Sequence, residues 1–238
     1  GSTSSLRPVR QLRYQVYVNE WGFERPEDHP DGLEQDEYDP HSIHFCAYPR
    51  HSDDLIGAAR IILGSERPLP IERHFRIKHL PAGVRREQTA EISRLAVSKE
   101  FRCRAIERAL FGKEQTSADL ADPALENHRD FRRKFEHHLV RGLYISLYRE
   151  SKLRGVTHWF AVMAKGLYVI LRRWGISFKQ IGPARDYHGL RAPYLVSIES
   201  IESSLAKHDP DLYYDTQNSL VHRSFYSTTK TPSNTEQS

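Results

Sequence analysis

Cysteine is scarce: Cys46 and Cys103 are the two in 238 residues. That scarcity excludes a small secreted scaffold stapled by disulfides, and it implies a reducing compartment, with the cytoplasm as the default. No apolar run reaches the ~18 residues that a membrane span needs. No signal peptide is visible. The chain starts Gly1-Ser2 without a methionine, which reads as the remnant of a cleaved tag, so residues 1–5 are set aside. No internal repeat is present, which excludes a solenoid or a propeller. Histidine is plentiful, but neither His137-His138 nor His29, His41 and His44 show zinc-ligand spacing. Neither a helix-turn-helix nor an RNP motif is recognisable, so nucleic acid is not an expected partner.

What is present is a soluble globular composition, 38% hydrophobic and 28% charged, with enough chain for a sizeable core. The net charge is +4, and its distribution says more than its sum. Glu24, Glu27, Asp28, Asp31, Glu34, Asp36, Glu37 and Asp39 crowd one segment with Arg25 as its one base. The segment lacks the ligand spacing and closing Glu of an EF-hand. The middle of the chain is basic, from Arg102 to Arg173, and such a field attracts an acidic protein, an anionic membrane or nucleic acid.

Val9, Leu12, Val16 and Tyr17 share one helical face, so the spacing predicts an amphipathic helix over 8–20, stopped at Trp21-Gly22. The acidic segment, with Pro26, Pro30, Gly32 and Pro40, reads as an ordered loop anchored by Phe23, Leu33 and Tyr38. Residues 42–48 and 55–63 read as a β-hairpin. A long connection over 64–90 follows, with a short helix near 72–78, and connections of that length often carry function. After a central strand over 91–97, residues 99–130 read as one or two short helices split at Asp122-Pro123. Phe131, Phe135, Leu139, Leu143 and Leu147 recur every fourth residue and predict a long helix over 129–154, closed by Gly155. A buried strand over 156–163, a helix over 167–174 closed by Gly175, and strands over 177–181 and 191–198 complete the pattern. Residues 206–238 read as a polar tail, disordered from about residue 227. The expected class is α/β (α+β): one domain over 6–205, a mixed sheet with helices on both faces.

Glu91-Ile92-Ser93-Arg94-Leu95-Ala96-Val97 is the stretch on which the rest is organised. Glu91 and Arg94 are three apart, so regular alternation sets them on opposite faces. A β-bulge would bring both to one cleft, and bulges are frequent beside active sites. A carboxylate and a guanidinium there suit a reaction that removes a proton and holds a carboxylate or carbonyl. The same pair also fits an ordinary ion pair at a sheet edge. Asp36 and Asp39 likewise fit either an amine site or the pairing of Arg13 and Arg60 within the N-terminal lobe. Cys103 has no placed histidine partner and reads as an inert thiol.

Five stretches occur in order: Leu12-Arg13-Tyr14-Gln15-Val16-Tyr17, Asp31-Gly32-Leu33-Glu34-Gln35-Asp36-Glu37-Tyr38-Asp39, Gly57-Ala58-Ala59-Arg60, Glu91-Ile92-Ser93-Arg94 and Leu171-Arg172-Arg173-Trp174-Gly175. In them the chain resembles the acyl-homoserine-lactone synthases and the related N-acyl amino acid synthases of the GNAT acyltransferase fold. It is most similar to the acyltransferases associated with PEP-CTERM/exosortase systems. The resemblance implies a mostly antiparallel sheet whose central strands, 91–97 and 156–163, lie side by side and splay into a V-shaped cleft. It implies catalytic roles for Glu91 and Arg94, and an amine substrate bound among Arg13, Tyr17, Phe23, Asp36, Asp39 and Arg60. Tyr17 and Phe23 stand where the homoserine-lactone enzymes have Phe and Trp, and Trp21 is displaced by two positions.

Acetyl-CoA-using GNAT enzymes carry an Arg/Gln-x-x-Gly-x-Gly/Ala loop after the central strand, whose amides bind pyrophosphate. Here Lys99-Glu100-Phe101-Arg102-Cys103-Arg104-Ala105 has no glycine. The implied donor is therefore an acyl carrier protein thioester rather than acyl-CoA, with no metal or further cofactor. Arg132, Arg133, Lys134, Arg172 and Arg173 are the expected landing surface for the acidic carrier. Leu95, Val97, Trp159, Ala161 and Met163 are the expected lining of the acyl slot, although each also reads as core. The implied product is an N-acyl amino acid. The alternatives are a homoserine-lactone synthase using S-adenosylmethionine and a non-catalytic binding module on the same fold. Retention of Glu91 and Arg94 argues against the latter.

Overall fold

The computed structural model describes residues 6–49, 52–65, 67–77, 82–99 and 124–210, with 213, 214, 216, 226 and 227; side chains of 124–137, 226 and 227 are not included. Helix α1 (Arg7–Tyr14) runs directly into a π-helical turn, Gln15–Glu20. Strands β1 (Ser42–Ala47) and β2 (Gly57–Leu63) form the expected antiparallel hairpin. Almost every residue of both strands is buried, because both faces of the hairpin are covered. Val9, Leu12 and Val16 pack on Ala58 and Ala96 on one face. On the other, Val140, Leu143, Tyr144 and Leu147 of α3 (Ala124–Leu153) share a core with Phe45, Ala59 and Ile61.

The remaining elements are α2 (Pro70–His74), β3 (Thr89–Val97), β4 (His158–Met163), α4 (Lys165–Arg173), β5 (Lys179–Gln180), β6 (Arg185–Asp186), β7 (Leu190–Ser197), α5 (Ile198–His208) and β8 (Tyr226–Ser227). The sheet order is β5-β7-β4-β3-β2-β1-β8, with β6 paired to β7. All pairs are antiparallel except β3 with β4, which is parallel. Gly155 and Gly175, at φ 67° and 83°, end α3 and α4 in the left-handed conformation that glycine adopts without strain.

Several boundaries differ from the sequence reading: α3 begins at Ala124, five residues before the expected start, the helix expected over 8–20 is α-helical only to Tyr14, and β3 begins at Thr89. Helix α2 starts at Pro70 and ends at His74, because proline suits the first helical turn and Glu72 accepts from the Leu69 N–H at 2.6 Å. The connection between the expected strands over 177–181 and 191–198 holds the short strand β6, which pairs with the start of β7. The chain beyond Ser197 is helical rather than a strand end leading to a tail. Ser197 caps α5 by accepting from the Ser200 N–H at 3.1 Å, and Ile198, Ile201 and Leu205 are buried at helical spacing. Of the expected helices over 99–130, residues 100–123 lie outside the described residues and 124–130 belong to α3; the disorder expected from about residue 227 also lies outside them, except that Ser227 stands in β8.

The central strands behave as the resemblance implied. β3 and β4 pair from Thr89↔His158 to Ile92↔Ala161 and no further. β4 remains paired with β7 out to Met163↔Ala192. The gap therefore opens between β3 and β4, as a V.

Candidate active site

The bulge lies in β3. Ala58 and Arg60 on β2 are two apart, while their partners Ala96 and Ser93 are three apart. Arg94 takes up the extra residue at φ 53°, a conformation rare for a side chain of its size. The bulge inverts the alternation. Ala90 and Ile92 face the α3 core before it, and Leu95 and Val97 face that core after it. Glu91, Ser93 and Arg94 are thereby brought to one cavity. Tyr17 braces the irregularity: its hydroxyl donates to the Leu95 carbonyl at 2.8 Å.

Glu91 is 3% exposed and sits in the wall of that cavity. Its Oε2 accepts from the Ile71 N–H at 2.8 Å. Burial pushes its carboxyl up to about 7, against the Ile71 hydrogen bond and the charges of Arg60 and Arg94, which pull it down. Removing a carboxylate from water outweighs two cations that do not touch it. A carboxyl poised near neutrality is suited to taking a proton and giving it back.

Arg94 does not pair with Glu91. It joins a closed ring of alternating charges. Arg94 meets Glu34 at 3.1 Å and Asp36 at 3.2 Å. Asp36 accepts two hydrogen bonds from Arg60, at 2.6 and 2.9 Å. Arg60 and Arg13 each donate to Asp39 Oδ1 at 2.7 Å, and Arg13 Nε closes the ring on Glu34. Glu24 lies 3.5 Å from Arg94, outside the ring. Burial raises the carboxyls of Glu34, Asp36 and Asp39, but the adjacent guanidiniums more than offset it and hold all three below the usual carboxylate range. The acidic loop thus folds over β2 and β3 as a set of counter-ions.

The cavity, of about 430 Å³, passes through the gap between β3 and β4. Its polar part is lined by Tyr17, Phe23, Glu24, Asp36, Glu37, Arg60, Glu91, Arg94, His188 and Arg191. Its apolar part is lined by Ile92, Leu95, Tyr144, Ala161, Met163 and Leu167. Four expected site residues, Arg13, Asp39, Val97 and Trp159, do not reach it, and the carrier-docking residues are not part of its lining. Arg13 and Asp39, both 0% exposed, lie beneath the wall and hold Arg60 and Glu34 in place. Trp159 stands where β3 and β4 are still paired, so its indole packs in the α3 core and donates to Ser151 Oγ at 2.8 Å. Val97 lies past the bulge, opposite Gly57, and is core. The side chains of Arg132, Arg133 and Lys134 lie outside those described, whereas Arg172 and Arg173 are exposed at the end of α4.

The sequence reading overlooked Glu34 as a site residue. With Glu91 the motif positions hold three cations and three acids, so charge balance did not point to Glu34. Only the packing of the acidic loop puts Glu34, and not Glu91, against Arg13 and Arg94. Tyr187, His188 and Arg191 carried no local signal, because only the β6–β7 hairpin brings them to a cavity built from β3 and β4.

Residues 12–111 match the family model of the acetyltransferase (GNAT) domain. No curated protein matches the chain by sequence. Solved structures that resemble it include the CoA-dependent acyl-homoserine lactone synthase BjaI, with SAM and isopentyl-CoA, at 16% identity and TM-score 0.57 over 86% of this chain and 82% of that one. TofI, in a ternary complex with an inhibitor and MTA, aligns at 17% and 0.58 over 89% and 95%. FeeM, an N-acyl amino acid synthase from uncultured soil microbes, aligns at 12% and 0.52 over 86% and 91%. This chain has the GNAT acyltransferase fold.

In the GNAT framework the splayed strands are β3 and β4, and the segment following β3, which lacks glycine, lies outside the described residues beyond Lys99. Cys46 is buried, and burial pushes its thiol up to about 11, so it is a core residue. Cys103 lies outside the described residues. Among the described residues no group of three His, Cys, Asp or Glu side chains could hold a metal ion, and no helix is long and apolar enough to cross a membrane.

Proposed function

We propose that the chain is an N-acyltransferase that moves a fatty acyl group from an acyl carrier protein thioester to the amine of an amino acid. The observation that carries this reading is Glu91: a buried carboxyl near neutrality, in the wall of a cavity lined both by charged groups and by apolar side chains. The acyl chain would lie among Tyr144, Ala161, Met163 and Leu167, and the amine would enter beside Glu91.

Glu91 takes a proton from the ammonium, directly or through one water. The freed lone pair attacks the thioester carbonyl carbon, and the C–N bond forms as the carbonyl electrons move to oxygen. The intermediate collapses, the C–S bond breaks, and the leaving thiolate takes the second proton released from the nitrogen, leaving the amide. Arg94 and Leu95 have no ladder partner on either β2 or β4. A backbone N–H freed there is the candidate donor to the oxyanion. Arg94 braces the acidic loop through Glu24, Glu34 and Asp36 rather than gripping substrate.

The test supplies the purified protein with decanoyl carrier protein or decanoyl-CoA, against the twenty amino acids and S-adenosylmethionine, and weighs the products. The proposal expects N-decanoyl amino acid from the carrier thioester. Homoserine lactone would favour the alternative, and preference for decanoyl-CoA would remove the carrier protein. Reversing Arg172 and Arg173 to Glu should raise the KM for the carrier about 10-fold and flatten its salt dependence, as for a steering surface. An unchanged KM at all salt concentrations would move the docking face elsewhere.

Ala161 offers a separate check of the acyl slot. It is small, buried and in the apolar wall near Tyr144. Ala161→Phe should shift the products to shorter chains, since each methylene kept out of the slot forfeits about 0.8 kcal/mol, roughly fourfold in affinity. An unaltered chain-length profile would place the acyl group elsewhere.

A further inference from the structure

Three arginines line the polar side of the cavity: Arg60, Arg94 and Arg191. Arg60 is bound by Asp36 and Asp39, and Arg94 by Glu34, Asp36 and Glu24. Neither has charge left for a ligand. Arg191, on β7, stands apart. Its Nε donates to the His188 carbonyl at 3.2 Å, and its guanidinium lies over the Phe23 ring, 5.2 Å from the centroid. Among the described residues no carboxylate stands against it. A partly buried guanidinium without a counter-ion is unfavourable unless an anion arrives from outside. Burial pulls its pKa down, the Arg94 charge adds to this, and the Tyr17 and Tyr187 hydroxyls pull the other way.

A second observation concerns the turn that holds it. His188 has φ 55°, and Arg94 is the other non-glycine residue with positive φ among the described residues. Both border the cavity, and strained backbone of this kind persists at ligand sites where the surroundings enforce it. The turn directs the His188 carbonyl to Arg191 Nε while the imidazole lies 3.8 Å from Glu24. The fork is therefore held on Nε and on its face, and its two terminal nitrogens have no protein partner among the described residues. That is the geometry for bidentate capture of a carboxylate.

We propose that Arg191 binds the carboxylate of the acceptor, so that the enzyme selects amines that carry one. This rests on the acyl-transfer reading and names the residue that recognises the acceptor's carboxylate. A zwitterionic amino acid would set its ammonium at Glu91 and its carboxylate at Arg191. The phosphate on the carrier's prosthetic arm is the other anion that could reach such a fork. Arg191 lies over Phe23, and Arg94, Tyr17 and Tyr187 act on its charge, which favours the acceptor among the charged groups of the cavity.

The experiment compares each accepted amino acid with its methyl ester, in wild type, Arg191→Met and Arg191→Lys. The wild type should prefer the free acid, and Arg191→Met should collapse that preference by about 10- to 100-fold, the scale of a lost charged hydrogen bond, through KM rather than kcat. Arg191→Lys should restore part of it. Equal losses on acid and ester overturn the proposal in favour of a structural role, and a rise confined to the donor KM overturns it in favour of the phosphate. Binding of N-decanoyl-phenylalanine and N-decanoyl-leucine against their methyl esters, by calorimetry, reads the same discrimination without turnover. If the wild type acylates no amine, the acyl-transfer reading fails by itself. A preference for the free acid that Arg191→Met abolishes would still support Arg191, and equal affinity for acid and ester would overturn it.

Discussion

Replacing Glu91 by glutamine should lower kcat by ~10²–10⁴, the usual scale for loss of a general base, while the protein becomes no less stable. The two effects have one origin. Burial has raised the carboxyl from 4.5 to about 7. Between those values the native state keeps a proton that the unfolded chain has released, so stability falls as pH rises through that window. The contribution is fully present below pH 4.5 and lost above pH 7, a change of up to about 3 kcal/mol. Glutamine does not ionise, and its carbonyl can still accept from the Ile71 N–H. Glu91→Gln should therefore be more stable than wild type at pH 8 and show no advantage at pH 4. A site held at a stability disadvantage is what a functional group looks like. The wild-type rate should rise with pH through about 7, and the variant's residual rate should recover only at higher pH, where the amine is already neutral. Melting temperatures at pH 4 and 8, with pH–rate profiles of both proteins, check this. Wild-type turnover in the variant would remove Glu91 from the mechanism, and a variant destabilised at pH 8 without recovery at high pH would make it an anchor.

The largest stability loss is expected at Asp39. It is fully buried and accepts from Arg13 and Arg60, each at 2.7 Å, with Arg10 at 3.4 Å. Asp39→Asn leaves two buried guanidiniums facing a neutral amide. Breaking a buried pair from one side costs about 3–5 kcal/mol, which in a chain of this size is a fall in Tm of roughly 6–20 °C. Glu37 is the control. Its partners Arg67 and Arg73 share a surface with it and its side chain is 53% exposed, so Glu37→Gln should cost less than about 1 kcal/mol. The pH dependence has the opposite sign to that of Glu91. The carboxyls of Glu34, Asp36 and Asp39 are depressed, so their stabilisation is present above the ordinary values of 4.5, 3.8 and 3.8 and lost as pH falls through their folded values. Asp39→Asn should therefore also flatten the acid limb of the stability curve. Urea midpoints from pH 2 to 7 measure both effects. Equal losses at Asp39 and Glu37 would mean that burial is not what gives the ring its strength.

Much of the fold was legible in the chain. The four-residue recurrence from Leu139 to Leu147, the glycine stops at Gly155 and Gly175, and the hairpin over 42–63 are local patterns set by helix and strand periods, and the structure keeps them. The bulge was legible in a weaker sense, because two charged residues three apart in an otherwise apolar strand have no comfortable regular solution. Helix α5 was missed although Ile198, Ile201 and Leu205 carry its period, since the polar residues between them dominate the composition.

What the sequence could not decide was which charges meet. Arg13, Arg60 and Arg94 are equivalent on paper, as are the acids from Glu24 to Asp39. Ion pairing depends on distances between segments far apart in the chain, and only the packing of the acidic loop over β2 and β3 closes the ring and leaves Arg94 saturated. The same holds for the cavity walls. Alternation put Trp159, Ala161 and Met163 on one face of β4, and all three join the α3 core, but only Ala161, at the last pair of β3 with β4, and Met163 beyond it also border the gap. By itself the sequence determined most elements, their order and the charged motif positions from Arg13 to Arg94. The tertiary structure added Glu34 and Arg191, and it decided which charges neutralise one another and which, Glu91 and Arg191, face the cavity without an ion-pair partner among the described residues, because burial and counter-ion distance are properties of the packed chain.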